Sequence, residues 1–372
     1  MYFTKKYLLS TNSHFMMKIY PIHFKSFPLL VVVMLLSYNL FSQDIHFTQF
    51  FRNPLQVSPG LSGVFNGDTR LMFQARNQWR EIPVDYRTVT LAFDTKLPSF
   101  VEDNGFWSLN GGINYDLAGD SRLQQTGLFI GGGYTKKFSP KVFGSFGMNI
   151  SGNQRGFDPG ALLFDRQYDP SINGVNASAP NGEGLWDLSK IFFDAGFGAN
   201  IRIQADQTGQ WVDLLNKRSK MDIGVGVHHL LSPNTSFFPG AVSRIPMRLN
   251  PYLMGVLQIS NNIDLTSNLI FVTQAAYNEW MASAGFRVYL DKNPGNTFSI
   301  DLNVNYQQRE IGNRIAPSIE MLYRNIRAGF SYDINLTKTG VLPTGQADPE
   351  IFVHYVIKKI PRFRTVRVCP LI

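Results

Sequence analysis

From Thr297 to Gln307 the chain reads TFSIDLNVNYQ, so that Phe298, Ile300, Leu302, Val304 and Tyr306 alternate with Ser299, Asp301, Asn303, Asn305 and Gln307. Successive side chains of a β-strand point to opposite faces, which makes this stretch a ribbon, apolar on one side and polar on the other. The pattern returns along nearly the whole chain. Leu71, Phe73 and Ala75 oppose Met72, Gln74 and Arg76; Val89, Leu91 and Phe93 oppose Thr88, Thr90 and Asp94. Trp107, Leu109, Ile113 and Tyr115 alternate with Ser108, Asn110, Asn114 and Asp116, and Ile263, Leu265, Leu269 and Phe271 with Asp264, Thr266 and Asn268. About fourteen such segments of roughly ten residues can be counted, the length a tilted strand needs to cross a bilayer. A soluble sandwich also alternates, but its strands run about five or six residues and its apolar face needs a second sheet. Acids and asparagines repeated on one face of so many long ribbons favour an all-β fold: a transmembrane antiparallel outer-membrane β-barrel of about 14 strands around a hydrated lumen.

The ends of the chain differ from its middle. Pro28 to Leu36 is the one marked hydrophobic block; it follows Lys18 and Lys25, precedes small and polar residues, and is too short to span a bilayer. It reads as a signal peptide over residues 1–42, cleaved between Ser42 and Gln43, with Met16 or Met17 as the true start. The formal charge of +8 would suggest nucleic acid as a partner, but its location excludes that. Residues 1–42 hold four bases and no acid, and five more bases lie beyond Glu350, which leaves 26 bases against 27 acids in residues 43–350. The single cysteine, Cys369, can form no internal disulfide.

Connections between the ribbons alternate in length. Residues 138–140, 260–262, 291–296 and 323–325 are short; residues 151–190, 230–245 and 336–349 are long, and only 204–219 breaks the rule. Outer-membrane barrels have short periplasmic turns and longer outer loops, so the parity places both termini in the periplasm. The expected organisation is a periplasmic arm or plug over 43–69, a barrel over 70–357 and a basic tail over 358–372. Trp79, Tyr115, Tyr134, Trp280, Tyr289 and Tyr306 fall near strand ends and suit interfacial girdles. Within the long 151–190 loop, Phe157, Phe164, Tyr168 and Trp186 are too aromatic for simple solvation, so the loop is expected to fold inward or to form an outer partner surface. Lys358, Lys359, Arg362, Arg364 and Arg367 make the tail a candidate periplasmic docking element.

After the expected cleavage site the sequence runs QDIHFTQFFRNPLQVSPGLSG, and the first ribbon carries RNQW at 76–79. With two prolines, Asn53 and Ser58, residues 52–60 read as an extended, turn-rich arm that cannot join a central strand. Phe47, Phe50, Phe51 and Leu55 supply an apolar stripe for the barrel mouth. By parity Arg76 and Gln78 face the lumen, where Arg76 would pair with Asp94 or another inward acid.

These residues resemble the PorP/SprF family of outer-membrane proteins, tied to type IX secretion and gliding motility in Bacteroidota. Phe47, Gln49, Asn53, Pro54, Pro59, Gly63, Arg76, Asn77, Gln78 and Trp79 match its pattern, while Phe50, Ser58 and Ala75 depart from it. The resemblance implies a non-catalytic component that supports export or surface anchoring of large cargo. Implied partners are a cargo protein with a C-terminal sorting domain such as a gliding adhesin, periplasmic ring or peptidoglycan-binding lipoproteins, and outer-membrane lipid including lipopolysaccharide. The alternative is a channel or transporter for hydrophobic small molecules.

No catalytic, cofactor or metal site is expected. His228 and His229 are adjacent, so on a strand they point to opposite faces and cannot share a metal. Gly131, Gly132 and Gly133 lie inside a ribbon with no helix following, which excludes a phosphate loop.

Overall fold

A computed structural model describes residues 46–78, 86–102, 104–119, 122–158, 162, 164–176, 178–180, 189–205, 217–293, 296–309, 312–336 and 347–358. The strands are β1 (Thr69–Gln78), β2 (Tyr86–Glu102), β3 (Gly105–Ala118), β4 (Leu123–Ser139), β5 (Val142–Gly156), β6 (Tyr168–Asp169), β7 (Gly174–Val175) and β8 (Ser189–Gln204). They continue as β9 (Lys220–His228), β10 (Arg248–Gln258), β11 (Ile263–Gln274), β12 (Tyr277–Asp291), β13 (Phe298–Arg309), β14 (Gly312–Tyr323), β15 (Ile326–Asn335) and β16 (Ala347–Ile357). All but β6 and β7, which pair with each other, join into one closed antiparallel barrel of fourteen strands, sealed where β1 meets β16. Closure leaves no open sheet edge, which is what a strand-built wall in lipid requires.

The barrel is built inside out relative to a soluble protein. Leu128, Ile130 and Leu302 stand more than half exposed on its outer face, whereas Asp94, Asp264, Asp301 and Glu350 inside are fully buried. Several strands exceed the expected ten residues: β2 and β4 run to 17 and β8 to 16. Trp107 with Tyr134 and Trp280 with Tyr306 form outward ring pairs at 4.9 and 5.2 Å, near opposite ends of the strands. Tyr289 departs from the expected girdle. On β12 the odd positions face inward, so its ring lies in the lumen beneath the Arg218 guanidinium, 4.5 Å away.

The rim where β1 begins and β16 ends is termed the near rim, and its opposite the far rim. Near-rim connections such as residues 140–141 and 324–325 are tight; the far rim carries residues 229–247 and the described residues that follow β5 and β15.

Residues 46–68 take the plug form of the expected arm or plug: they run through the lumen from far-rim strand ends to the near rim. They are not an extended arm. A 3-10 turn (Phe50–Arg52), a single-turn helix α1 (Pro54–Val57) and a second 3-10 turn (Pro59–Leu61) follow one another. Each proline occupies the first position of its turn, where no backbone N–H is needed and the fixed φ already suits a helix. Phe50, Val57, Leu61 and Val64 pack against Tyr252, Ile270 and Met281, and Leu55 against Met72 and Ala92. The polar inner face inferred for a hydrated lumen is therefore largely covered by protein.

Candidate functional site

Several inward positions on neighbouring strands bring carboxylates directly opposite one another. Asp301 on β13 is in register with Glu320 on β14, and Asp333 on β15 with Asp348 on β16. Like charges facing across a sheet destabilise it. Near Asp301, Arg287 and Arg327 lie at 2.8 and 2.6 Å. The remaining positive charge comes from the plug: Arg52 bonds Glu320 through Nε at 2.9 Å and lies 3.8 Å from Asp301. His354 donates to the Arg52 carbonyl at 2.7 Å and holds that turn in place.

A second cluster fixes the start of the plug. The Glu350 carboxylate accepts from the backbone N–H groups of Thr48 and Gln49 at 2.8 and 3.0 Å and from the Gln74 amide at 2.9 Å. The Thr48 hydroxyl donates to Asp333 at 2.6 Å, and Gln49 donates to Ser331 at 2.9 Å. Arg76 pairs with Asp333 at 2.5 Å and approaches Glu350 to 3.8 Å. Asp94 is not its partner. Arg70, directly in register with Asp94, takes that carboxylate through two bonds of 2.9 and 2.8 Å. Asp94 also accepts from the N–H of Gly63, whose φ of +72° suits glycine.

The middle of the plug lies against a row of glycines. Gly133, Gly147, Gly198 and Gly226 face inward on β4, β5, β8 and β9, in register from strand to strand. A Cβ on Gly147 would stand 2.2 Å from the Pro59 carbonyl oxygen, one on Gly198 2.1 Å from Ser58 Oγ, and one on Gly226 2.1 Å from the Val57 carbonyl oxygen. The missing side chains make the shallow channel in which residues 57–60 lie. Ser58 donates to the Val225 carbonyl at 3.0 Å, Asn250 to the Val57 carbonyl at 3.2 Å and Ser145 to the Gly60 carbonyl at 2.7 Å.

Most of the described family-pattern residues thus share one interior. Phe47, Gln49, Asn53, Pro54 and Pro59 are buried in the plug, and Arg76 is buried on the wall. Gln78 lies beside Arg76 with its amide oxygen placed to accept from that guanidinium, while Asn77 belongs to the other face of β1. Trp79 lies outside the described residues. At the far rim, Phe157 meets Phe237 edge-on at 5.0 Å, joining the 157–188 and 229–247 connections. Phe164 is half-buried and Tyr168 is exposed on the β6–β7 hairpin. In that hairpin the Ser171 hydroxyl and backbone N–H hold the Asp169 carboxyl below its ordinary value. Trp186 lies outside the described residues. Of the five tail bases, Lys358 is exposed at the near rim; Lys359, Arg362, Arg364 and Arg367 lie outside the described residues.

His228 and His229 depart from the expected opposition. His229 has a φ of +58°, so the chain has already left the strand, and both residues line one small cavity. His229 pairs there with Asp194. Among the described residues no group of three or more His, Cys, Asp or Glu could hold a metal. Sequence reading did not reach Arg52, Thr48 or the glycine row. Inward parity was the available signal for each glycine, but their alignment depends on strand register.

The family model described as type IX secretion system membrane protein PorP/SprF matches residues 39–355. No curated relative matches the chain significantly. Among solved structures, a Pseudomonas aeruginosa FadL homologue is similar at 10% identity and a TM-score of 0.46, over 80% of this chain and 92% of that one. The Ralstonia pickettii toluene transporter TbuX is similar at 8% identity and a TM-score of 0.45, over 82% and 94%. The Pseudomonas putida toluene transporter TodX is similar at 9% identity and a TM-score of 0.45, over 82% and 93%. These structural likenesses are too remote to bear on function.

Proposed function

This chain belongs to the PorP/SprF family of type IX secretion system membrane proteins, and on that footing we propose that it is a closed, non-catalytic outer-membrane barrel that supports export or surface anchoring of a large cargo protein. The near rim then faces the periplasm and the far-rim connections face outward, in keeping with their lengths. The observation that favours an anchor over a conduit is the plug. Residues 46–68 are tied to the wall on several sides, through Glu350, Glu320, Asp94 and the glycine row, so the barrel presents two finished faces. Cargo with a C-terminal sorting domain, such as a gliding adhesin, would engage the outer face, where Tyr168, Ile172 and Val175 leave apolar surface exposed. Ring or peptidoglycan-binding lipoproteins would engage the other. The transport alternative draws no support from the near-rim cavity of about 450 Å³, whose walls are dominated by lysine and arginine.

Affinity capture of the tagged protein from native membranes, followed by mass spectrometry, tests the reading. A large surface protein is expected to co-elute, and to be lost when residues 164–176 are deleted. Recovery of no cargo, together with uptake of an apolar solute by barrel-containing liposomes, would overturn it.

A further inference from the structure

At the near rim the plug and wall enclose a vestibule of about 450 Å³, within the range typical of ligand pockets. Among the described residues, eleven lysine and arginine side chains line it, against one lining carboxylate, Asp222. Asp94, Asp264, Asp301 and Glu320 are each bonded to an arginine of that lining: Arg70, Arg218, Arg287 and Arg52 respectively. Three further cations stand at the lip with no carboxylate partner among the described residues. Lys292 donates to the Asn261 carbonyl at 3.0 Å, Arg324 reaches the Asn296 amide oxygen at 3.4 Å, and Lys358 is exposed at the lip. The paired carboxylates offset part of the charge, and the low-dielectric wall focuses the field of the remaining net positive charge into the opening.

The floor has the opposite character. Phe51, Leu61, Val64 and Phe65 of the plug and Met254 of β10 supply apolar surface. The cations are held over aromatic faces: Arg52 over Phe51 at 4.7 Å, Arg70 over Phe65 at 4.5 Å, and Arg218 over Tyr289 at 4.5 Å. Stacking and pairing fix these guanidiniums before any ligand arrives, which lowers the ordering cost of binding. Lipid meets only the outside of the barrel, so a lipid headgroup is not placed to enter.

We propose that this vestibule is a docking site for an acidic, amphipathic peptide segment of a periplasmic protein, bound extended with carboxylates toward the arginine walls and apolar side chains on the plug floor. An extended peptide sends alternate side chains to opposite faces, matching a cationic wall above an apolar floor. The guanidinium donors not used in the internal pairs and the lip cations meet the incoming carboxylates, and the net positive charge speeds encounter. This site does not depend on the cargo, since it lies at the other rim, but a periplasmic occupant rests on the orientation proposed above.

The test uses the full chain in detergent micelles and two fluorescein-labelled octapeptides, one alternating Glu with Leu and the other Gln with Leu, read by fluorescence anisotropy. The Glu-Leu peptide is expected to bind and the Gln-Leu peptide not to. Binding should fall about tenfold or more in ~1 M salt, where the screening length shrinks to about 3 Å. The same loss is expected in the exposed-lip variant Lys292→Glu/Arg324→Glu/Lys358→Glu, with heat-modifiable gel mobility confirming that its barrel is closed. Equal binding of both peptides, or unchanged affinity in the lip variant, would overturn the proposal. Complete displacement by millimolar inorganic phosphate would also overturn it, by identifying a free-anion site.

Discussion

Replacing Gly226 with valine asks how tightly the plug depends on the shape of the wall. A Cβ there falls 2.1 Å from the Val57 carbonyl oxygen and 2.9 Å from Ser58 Cα, against 3.4 Å or more for an ordinary contact. The turn must therefore retreat by about 1.3 Å, and valine adds two further methyl groups in the same direction. Overpacking of this kind costs roughly 1–3 kcal/mol. The retreat also strains the bonds from Ser58 to Val225 and from Asn250 to Val57, each worth about 0.5–1.5 kcal/mol. Together the plug loses about 2–6 kcal/mol of attachment, while the strand ladders of the wall remain intact. Gly255→Ala is the matched control: its Cβ would meet nothing closer than 3.6 Å. Single-channel recording in planar bilayers reads the outcome. The wild type and Gly255→Ala should hold the same closed baseline, and Gly226→Val should open intermittently or permanently. A Gly226→Val barrel that stays as closed as wild type, with unchanged urea resistance in micelles, would refute the reasoning about the glycine row.

Arg52→Met should lower stability to urea by less than the roughly 3–5 kcal/mol of an uncompensated buried charge, because Glu320 loses the plug's guanidinium but keeps Arg327 at 3.2 Å; adding Glu320→Leu should recover a large part of the loss. Deleting residues 46–64 should give a barrel that conducts continuously in bilayers yet melts more easily, since facing carboxylates then lose their plug partners. Deleting residues 164–176 should leave conductance at the wild-type level, because the lumen is filled by another segment; a rise in conductance would show that this loop contributes to the seal. On the outer face, Ile130→Arg should cost about 2–4 kcal/mol in reversible folding into liposomes.

Alternation alone established much of this protein. Because the side-chain period of a strand is two, the inward or outward sense of Arg76, Asp301 or Leu302 followed from parity within each ribbon. The number of ribbons and the length pattern of their connections pointed to a barrel. The family pattern at 47–79 was legible as a string of residues, but not as a structure. Parity does not say which ribbon lies beside which, or at what offset. Arg76 was correctly directed into the lumen, but parity left its partner open between Asp94 and another inward acid, since its pairing with Asp333 depends on closure of β1 against β16 and on the register of β16 with β15. The same holds for Gly133, Gly147, Gly198 and Gly226, which are unremarkable within their own strands and become a channel only when three registers align. A plug was one of two forms expected of this segment, and tertiary structure decided between them: residues 46–68 coil inside the lumen rather than extend from it. The physical reason is that their anchors, Glu350, Glu320 and Asp94, lie far away in sequence, and only the closed wall brings them to surround one segment.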